Sequence, residues 1–117
     1  MIQVYKESPR GDTVRWQFII TYQEQAYDLT GCDITANVKR KITDSDAAAV
    51  VPSSNVTIDP TDLPNGLITY IIANTVTNAM APGSYYSDIQ VELVSGDIIT
   101  PIRIMWELDS DIIRTTT

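Results

Sequence analysis

The chain has no histidine and a single cysteine, Cys32, in 117 residues. Those two shortages together remove Cys/His zinc sites, Ser-His-Asp triads and Cys-His dyads, and they exclude an internal disulfide. Basic residues are scarce too. The formal net charge is −7, which argues against a nucleic-acid partner, because phosphate binding draws on clustered Lys and Arg. No apolar run approaches the roughly 18 residues of a membrane-spanning helix. The opening stretch "MIQVYKESPRGD" lacks a basic region followed by an apolar run, so no secretory leader is expected.

What is present is ordinary globular material: 44% hydrophobic and 20% charged residues. The length fits one domain spanning residues 1–117. Period-2 alternation dominates. In "TVRWQFIIT" Val14, Trp16, Phe18 and Ile20 share a face; in "DITANVKRKI" Ile34, Ala36 and Val38 do. Ile68, Tyr70 and Ile72 align in "GLITYIIA", and Tyr85, Ile89, Val91 and Leu93 align in "SYYSDIQVEL". In "DIITPIRIMWELD" the inward set is Ile98, Ile102, Ile104, Trp106 and Leu108. The runs are bounded by "SPRGD", "DLTGCD", "LPNG", "APG" and "VSGD", whose Gly, Pro, Asn and Asp residues make turns. "ANTVTNAMA" has room for one helical turn, and no segment sustains a 3.6-residue period. Short strands with one apolar face each must stack as two sheets, so the expected fold is all-β, an immunoglobulin-like antiparallel β-sandwich of about seven strands.

Two features stand out against this rhythm. Residues 43–65 form a long excursion with one short strand expected around Val56–Ile58, and the stretch "AAAVV" within it is apolar. The other is "MAPGSYYSD". In immunoglobulin-like sandwiches a Tyr near the start of a late strand hydrogen-bonds back to the preceding corner, two residues before the position of an antibody cysteine. Pro82 and Gly83 are placed to make that corner, Tyr85 to be its tyrosine, and Ser87 to stand where the cysteine would be. Tyr86 then faces outward.

The order of motifs resembles a known group. "GD" (Gly11, Asp12) and "FII" (Phe18 to Ile20) are followed by "DLTG" (Asp28 to Gly31) and a strand ending in basic residues. After the excursion come "GLIT" (Gly66 to Thr69), "T-x-x-M-x-P-G-x-Y-x-x-D-I" (Thr77 to Ile89) and "SGD" (Ser95 to Asp97). This layout resembles the immunoglobulin-like structural domains of tailed-bacteriophage virions, such as the N-terminal domain of baseplate upper proteins and related head and tail-fibre domains. The resemblance spans residues 11 to 108. It departs at Pro101, where such domains often open the last strand segment with Gly; a Pro there suggests an edge or a bulge. The resemblance implies a structural role in the virion, with other virion proteins and copies of the chain itself as partners. It implies no catalytic residues, and no cofactor, small-molecule substrate, nucleic acid or membrane is expected as a partner.

The remaining features each have a plain reading and a sharper one. Arg10-Gly11-Asp12 matches an integrin-read tripeptide and equally has turn composition. The pairs Asp44/Asp46, Asp59/Asp62 and Asp109/Asp111 are solvated turns or calcium-binding oxygens, although no EF-hand spacing is present. Lys39-Arg40-Lys41 reads as a solvated strand end. Residues 1–41 hold six basic and five acidic side chains, whereas residues 42–117 hold only Arg103 and Arg114 against ten acidic ones. The acidic part is either a solvated surface or the side that meets a basic partner, with Glu92 and Glu107 expected on it. Alternation turns Ile19, Ile99 and Met105 outward, and with Ala47, Ala48, Ala49, Val50 and Val51 these form the expected contact set. An alternative is an adhesion module binding a carbohydrate or receptor, for which Tyr22, Tyr27 and Tyr86 are the candidate platforms.

Overall fold

The computed structural model describes residues 1–110, and its architecture is an all-β sandwich. The strands are β1 (Ile2–Pro9), β2 (Val14–Ile19), β3 (Thr21–Tyr22), β4 (Gln25–Ala26), β5 (Asp33–Ala36), β6 (Thr57–Asp62), β7 (Leu67–Ile72), β8 (Gly83–Glu92) and β9 (Ile98–Asp109), with one short helix, α1 (Asn74–Asn78). Four strands form one sheet in the order β1-β9-β8-β5, and three form the facing sheet in the order β2-β7-β6. The small β3–β4 hairpin stands apart.

The alternating residues fill the layer between the sheets. Val14, Phe18, Ile68, Tyr70 and Ile72 come from the three-stranded sheet, and Ile89, Val91, Ile102, Ile104, Trp106 and Leu108 from the other; all are buried. Trp16 is only half-buried. It lies on β2, an outer strand, and stacks on Tyr70 with ring centroids 5.5 Å apart, meeting Trp106 edge-on at 5.6 Å. Its open side is covered by Lys6, whose Nζ lies 5.9 Å from the Trp16 ring centre and 5.8 Å from that of Phe18. A lysine stem covers apolar surface while its charge meets the ring faces.

The structure departs from the expected pattern in two places. β1 pairs with β9 in parallel, from Ile2↔Ile102 to Pro9↔Asp109, so the four-stranded sheet is mixed rather than purely antiparallel. The second departure is a register shift in the β8–β9 ladder, where Ile89 faces Ile102 but Val91 faces Ile99. β9 thus carries an extra residue beside Pro101, a β-bulge that reverses which side chains point inward. Ile98 is therefore exposed, and Ile99 packs against the core, the opposite of the unbroken alternation.

Among the described residues the buried polar side-chain atoms all have hydrogen-bond partners. Ser87 Oγ donates to the Asn37 carbonyl and pairs with the Tyr70 hydroxyl, each at 2.7 Å. This joins β8 of one sheet to β7 of the other at the position where an antibody domain has a cysteine. Burial holds the Tyr70 phenol well above its usual pKa, and the Ser87 hydrogen bond offsets part of that rise.

Candidate interaction surface

The turns sort to two ends of the sandwich. At one end lie the β1–β2 turn, α1 and the corner before β8. Tyr85 is buried, and its hydroxyl donates a short hydrogen bond to the Ala81 carbonyl, as the corner motif requires. Gly83, at φ 145°, leaves the space that the Arg40 guanidinium occupies, and Arg40 Cζ sits 4.8 Å from the Tyr85 ring centre. Thr77 Oγ1 donates to the Asp12 carbonyl at 2.8 Å, so Arg10-Gly11-Asp12 is a turn tied to α1. This end is architectural.

The other end gathers the β2–β5 connection, the β6–β7 and β8–β9 turns and the start of β1. Gly66 must be glycine: its φ is 75°, and a Cβ there would lie 2.7 Å from the Ile20 carbonyl oxygen. That close approach lets the Ile20 N–H donate to the Gly66 carbonyl at 2.8 Å. Leu29 of "DLTG" is buried, its N–H donating to the Leu63 carbonyl, while the Thr30 N–H donates to Asp28 Oδ1 at 3.0 Å. The Thr30 hydrogen bonds hold the Asp28 carboxyl below its usual pKa. β3 and β4 are joined through Gln23 and Glu24, both left-handed at φ 54° and 67°. Most of the large exposed apolar side chains collect here: Met1, Ile2, Ile19, Tyr22, Val94 and Ile98. Three of them, Met1, Ile2 and Tyr22, line a groove of about 530 Å³ together with Ile99, Pro101, Thr21, Gln23 and Glu24. Tyr22 meets Tyr27 edge-to-face at 5.4 Å.

A second surface is the outer face of the four-stranded sheet. Strand register puts Tyr5, Met105 and Tyr86 in one row across β1, β9 and β8. Beside it Arg103 grips Asp88 through two hydrogen bonds, Nε to Oδ1 at 2.7 Å and Nη2 to Oδ2 at 3.0 Å, which raises the guanidinium pKa further. Glu7, Glu107, Asp109, Glu92 and Asp33 put negative charge on this face, with Lys39 beside Tyr86 as a basic group on the same side. Burial and the neighbouring Glu7 and Glu107 hold the Asp109 carboxyl above its usual pKa. A polar hollow of about 200 Å³ lies on the same side between β5, β8 and Pro52–Ser53.

The expected contact residues fare unequally. Ile19 is exposed at 55%, as alternation implied. Ala47, Ala48 and Val50 are exposed on the excursion, and Ala49 is half-buried. Val51 is not a surface residue. Only 1% exposed, it bridges to Val38, whose N–H donates to the Val51 carbonyl at 2.9 Å, so it anchors the excursion to the core. Ile99 points inward because of the bulge at Pro101 and meets the surface only through the groove. Met105 is outward and half-covered by its neighbours. Tyr86 is likewise outward, and the Lys39 backbone pairs with it through two hydrogen bonds of 2.8 Å. Met1, Ile2 and Tyr5 were not anticipated as surface contacts. Among the described residues no group of three or more Asp, Glu or Cys side chains gathers as a metal site; Asp111 and Arg114 lie outside them. No helix is long and apolar enough to cross a membrane among those residues. No protein-family model matches the chain, and no curated protein matches it.

Proposed function

We propose that the chain is a non-enzymatic structural subunit of a tailed-bacteriophage virion, a small sandwich that docks on other virion proteins as a baseplate or tail-fibre adaptor, neck piece or capsid decoration. The observation that carries this reading is the loop end, which holds most of the large exposed apolar side chains, with Met1, Ile2 and Tyr22 among them lining a groove. Apolar area gathered in this way is removed from water by a partner. The acidic outer sheet face supports it, since it complements a basic neighbour and steers docking.

The test is mass spectrometry of purified particles combined with variants. The chain is expected in the particles. Tyr22→Asp with Ile19→Asp, and separately charge reversal at Glu92 and Glu107, are expected to reduce incorporation while leaving the isolated domain folded. A second reading has its own observation: Tyr22 and Tyr27, with Thr21, Gln23 and Glu24 beside them, combine aromatic and polar groups as a sugar platform does. A chain absent from particles that binds a glycan tightly through Tyr22 would favour that adhesion-module reading.

A further inference from the structure

We propose that β1 is the edge through which two copies of this chain join, antiparallel about Tyr5, so that their four-stranded sheets run on as one. The inference rests on strand geometry and stands apart from the virion reading.

β1 is the outermost strand of its sheet and is eight residues long. The other outer strands are poorer templates. β5 has four residues, and β6 contains Pro60 and a register shift between Asp59 and Asp62. β2 has six residues, and the Lys6 ammonium of β1 lies over its Trp16 and Phe18 rings.

The phase of the free edge follows from one hydrogen bond. The Arg10 N–H donates to the Asp109 carbonyl at 2.8 Å, continuing the parallel register in which Pro9 faces Asp109. In a parallel ladder, alternate residues of a strand turn both peptide groups to the same neighbour. Even-numbered residues of β1 therefore face β9, and Gln3, Tyr5 and Glu7 direct N–H and C=O to the open side. Pro9, which has no N–H, falls in the outward phase, where the ladder with β9 loses nothing.

Side chains select the register. With the two-fold axis at Tyr5, each Tyr5 faces the second copy's Tyr5, Gln3 faces Glu7, Val4 faces Lys6 and Ile2 faces Ser8. No like charges are opposed, and all the hydrogen-bonding pairs fall on outward residues. An axis at Lys6 would oppose two ammonium groups, and one at Glu7 two carboxylates. An axis at Val4 would separate the Tyr5 rings, which are 61% exposed in the single chain and gain most by covering each other. The contact is isologous and therefore closes as a dimer.

Sedimentation equilibrium of the full chain tests this. Between about 1 µM and about 1 mM the mass is expected to rise from 13.0 kDa towards twice that value. Gln3→Pro deletes an outward N–H from each copy and leaves the β1–β9 ladder whole, so association is expected to weaken about tenfold or more. In a Cys32→Ala background, Tyr5→Cys is expected to oxidise to a disulfide-linked dimer, because directly opposed Cα atoms lie about 5.5 Å apart. Glu7→Cys is expected not to, since its mate lies about 13 Å further along the strand. A chain that stays monomeric throughout, a Gln3→Pro variant that associates as the parent does, or cross-linking through Glu7→Cys in preference to Tyr5→Cys would each overturn the proposal.

Discussion

At the corner end, contacts between residues far apart in sequence hold the backbone: Thr77 to Asp12, the Arg40 guanidinium over the Tyr85 ring, and Trp106 Nε1–H to Ser8 Oγ at 2.9 Å. At the loop end, apolar side chains face solvent around a groove, and two consecutive non-glycine residues sit in the left-handed region. The sandwich core runs through both ends, but at the loop end the contacts between distant residues are between backbone groups, such as Ile20 with Gly66 and Leu29 with Leu63. The contrast is one of surface: side-chain contacts between distant residues cover the corner end, whereas the loop end leaves apolar side chains open to water.

Substitutions that separate the two ends sharpen this contrast. The largest effect is expected where the corner end meets the core: Trp106→Ala removes a ring that packs on Trp16 and Tyr85, and chemical denaturation should register a loss of about 3–5 kcal/mol. Tyr22→Ala at the loop end should cost far less. Next comes Ser87→Ala, which strands the Tyr70 hydroxyl and the Asn37 carbonyl in the interior; a loss of about 1–3 kcal/mol is expected in the same assay. Tyr85→Phe should cost roughly 1 kcal/mol through the Ala81 carbonyl it abandons, whereas Tyr86→Phe should change little. At the loop end the sign reverses. Gln23→Asn with Glu24→Gly relieves two left-handed residues and should raise the thermal midpoint, by about 1 kcal/mol of added stability.

The smallest expected effects are two opposed pH dependences. The Asp109 carboxyl, at the corner end, is raised by burial and by Glu7 and Glu107, so proton uptake favours the folded chain. Its contribution is fully present below the unfolded pKa and is lost as pH rises through the folded value; Asp109→Asn should stabilise at neutral pH and lose that advantage on acidification. The Asp28 carboxyl, at the loop end, is lowered by its Thr30 hydrogen bonds. Its contribution is present above the unfolded pKa and disappears as pH falls through the lowered value. An NMR titration of the two carboxyls should place Asp28 below Asp109.

The sandwich was legible because its signals are local. Alternation marks a half-buried strand wherever it occurs, and a Pro-Gly corner followed by Tyr85 carries its hydrogen-bond partner four residues upstream. Pro101 signals a bulge, but how a bulge shifts phase depends on the partner strand, and here one extra residue exchanges Ile98 and Ile99 between surface and core. Val51 was misread for a related reason, since an apolar residue in a long connection looks the same whether it reaches a partner or its own core. Pairings between distant segments left no trace in the sequence. The parallel match of β1 with β9 joins residues about a hundred positions apart, and nothing in "IQVYKES" announces that its far side is open. The groove was invisible for the same reason: its walls come from β1, the β3–β4 hairpin and β9.

The central claim, that the loop end is the contact surface, is tested most directly by hydroxyl-radical footprinting of the chain free and within purified particles. The account predicts strong protection of Met1 and Tyr22 in the particle, with the buried Tyr85 unreactive in both states. Equal labelling of Met1 and Tyr22 in the two states would contradict it.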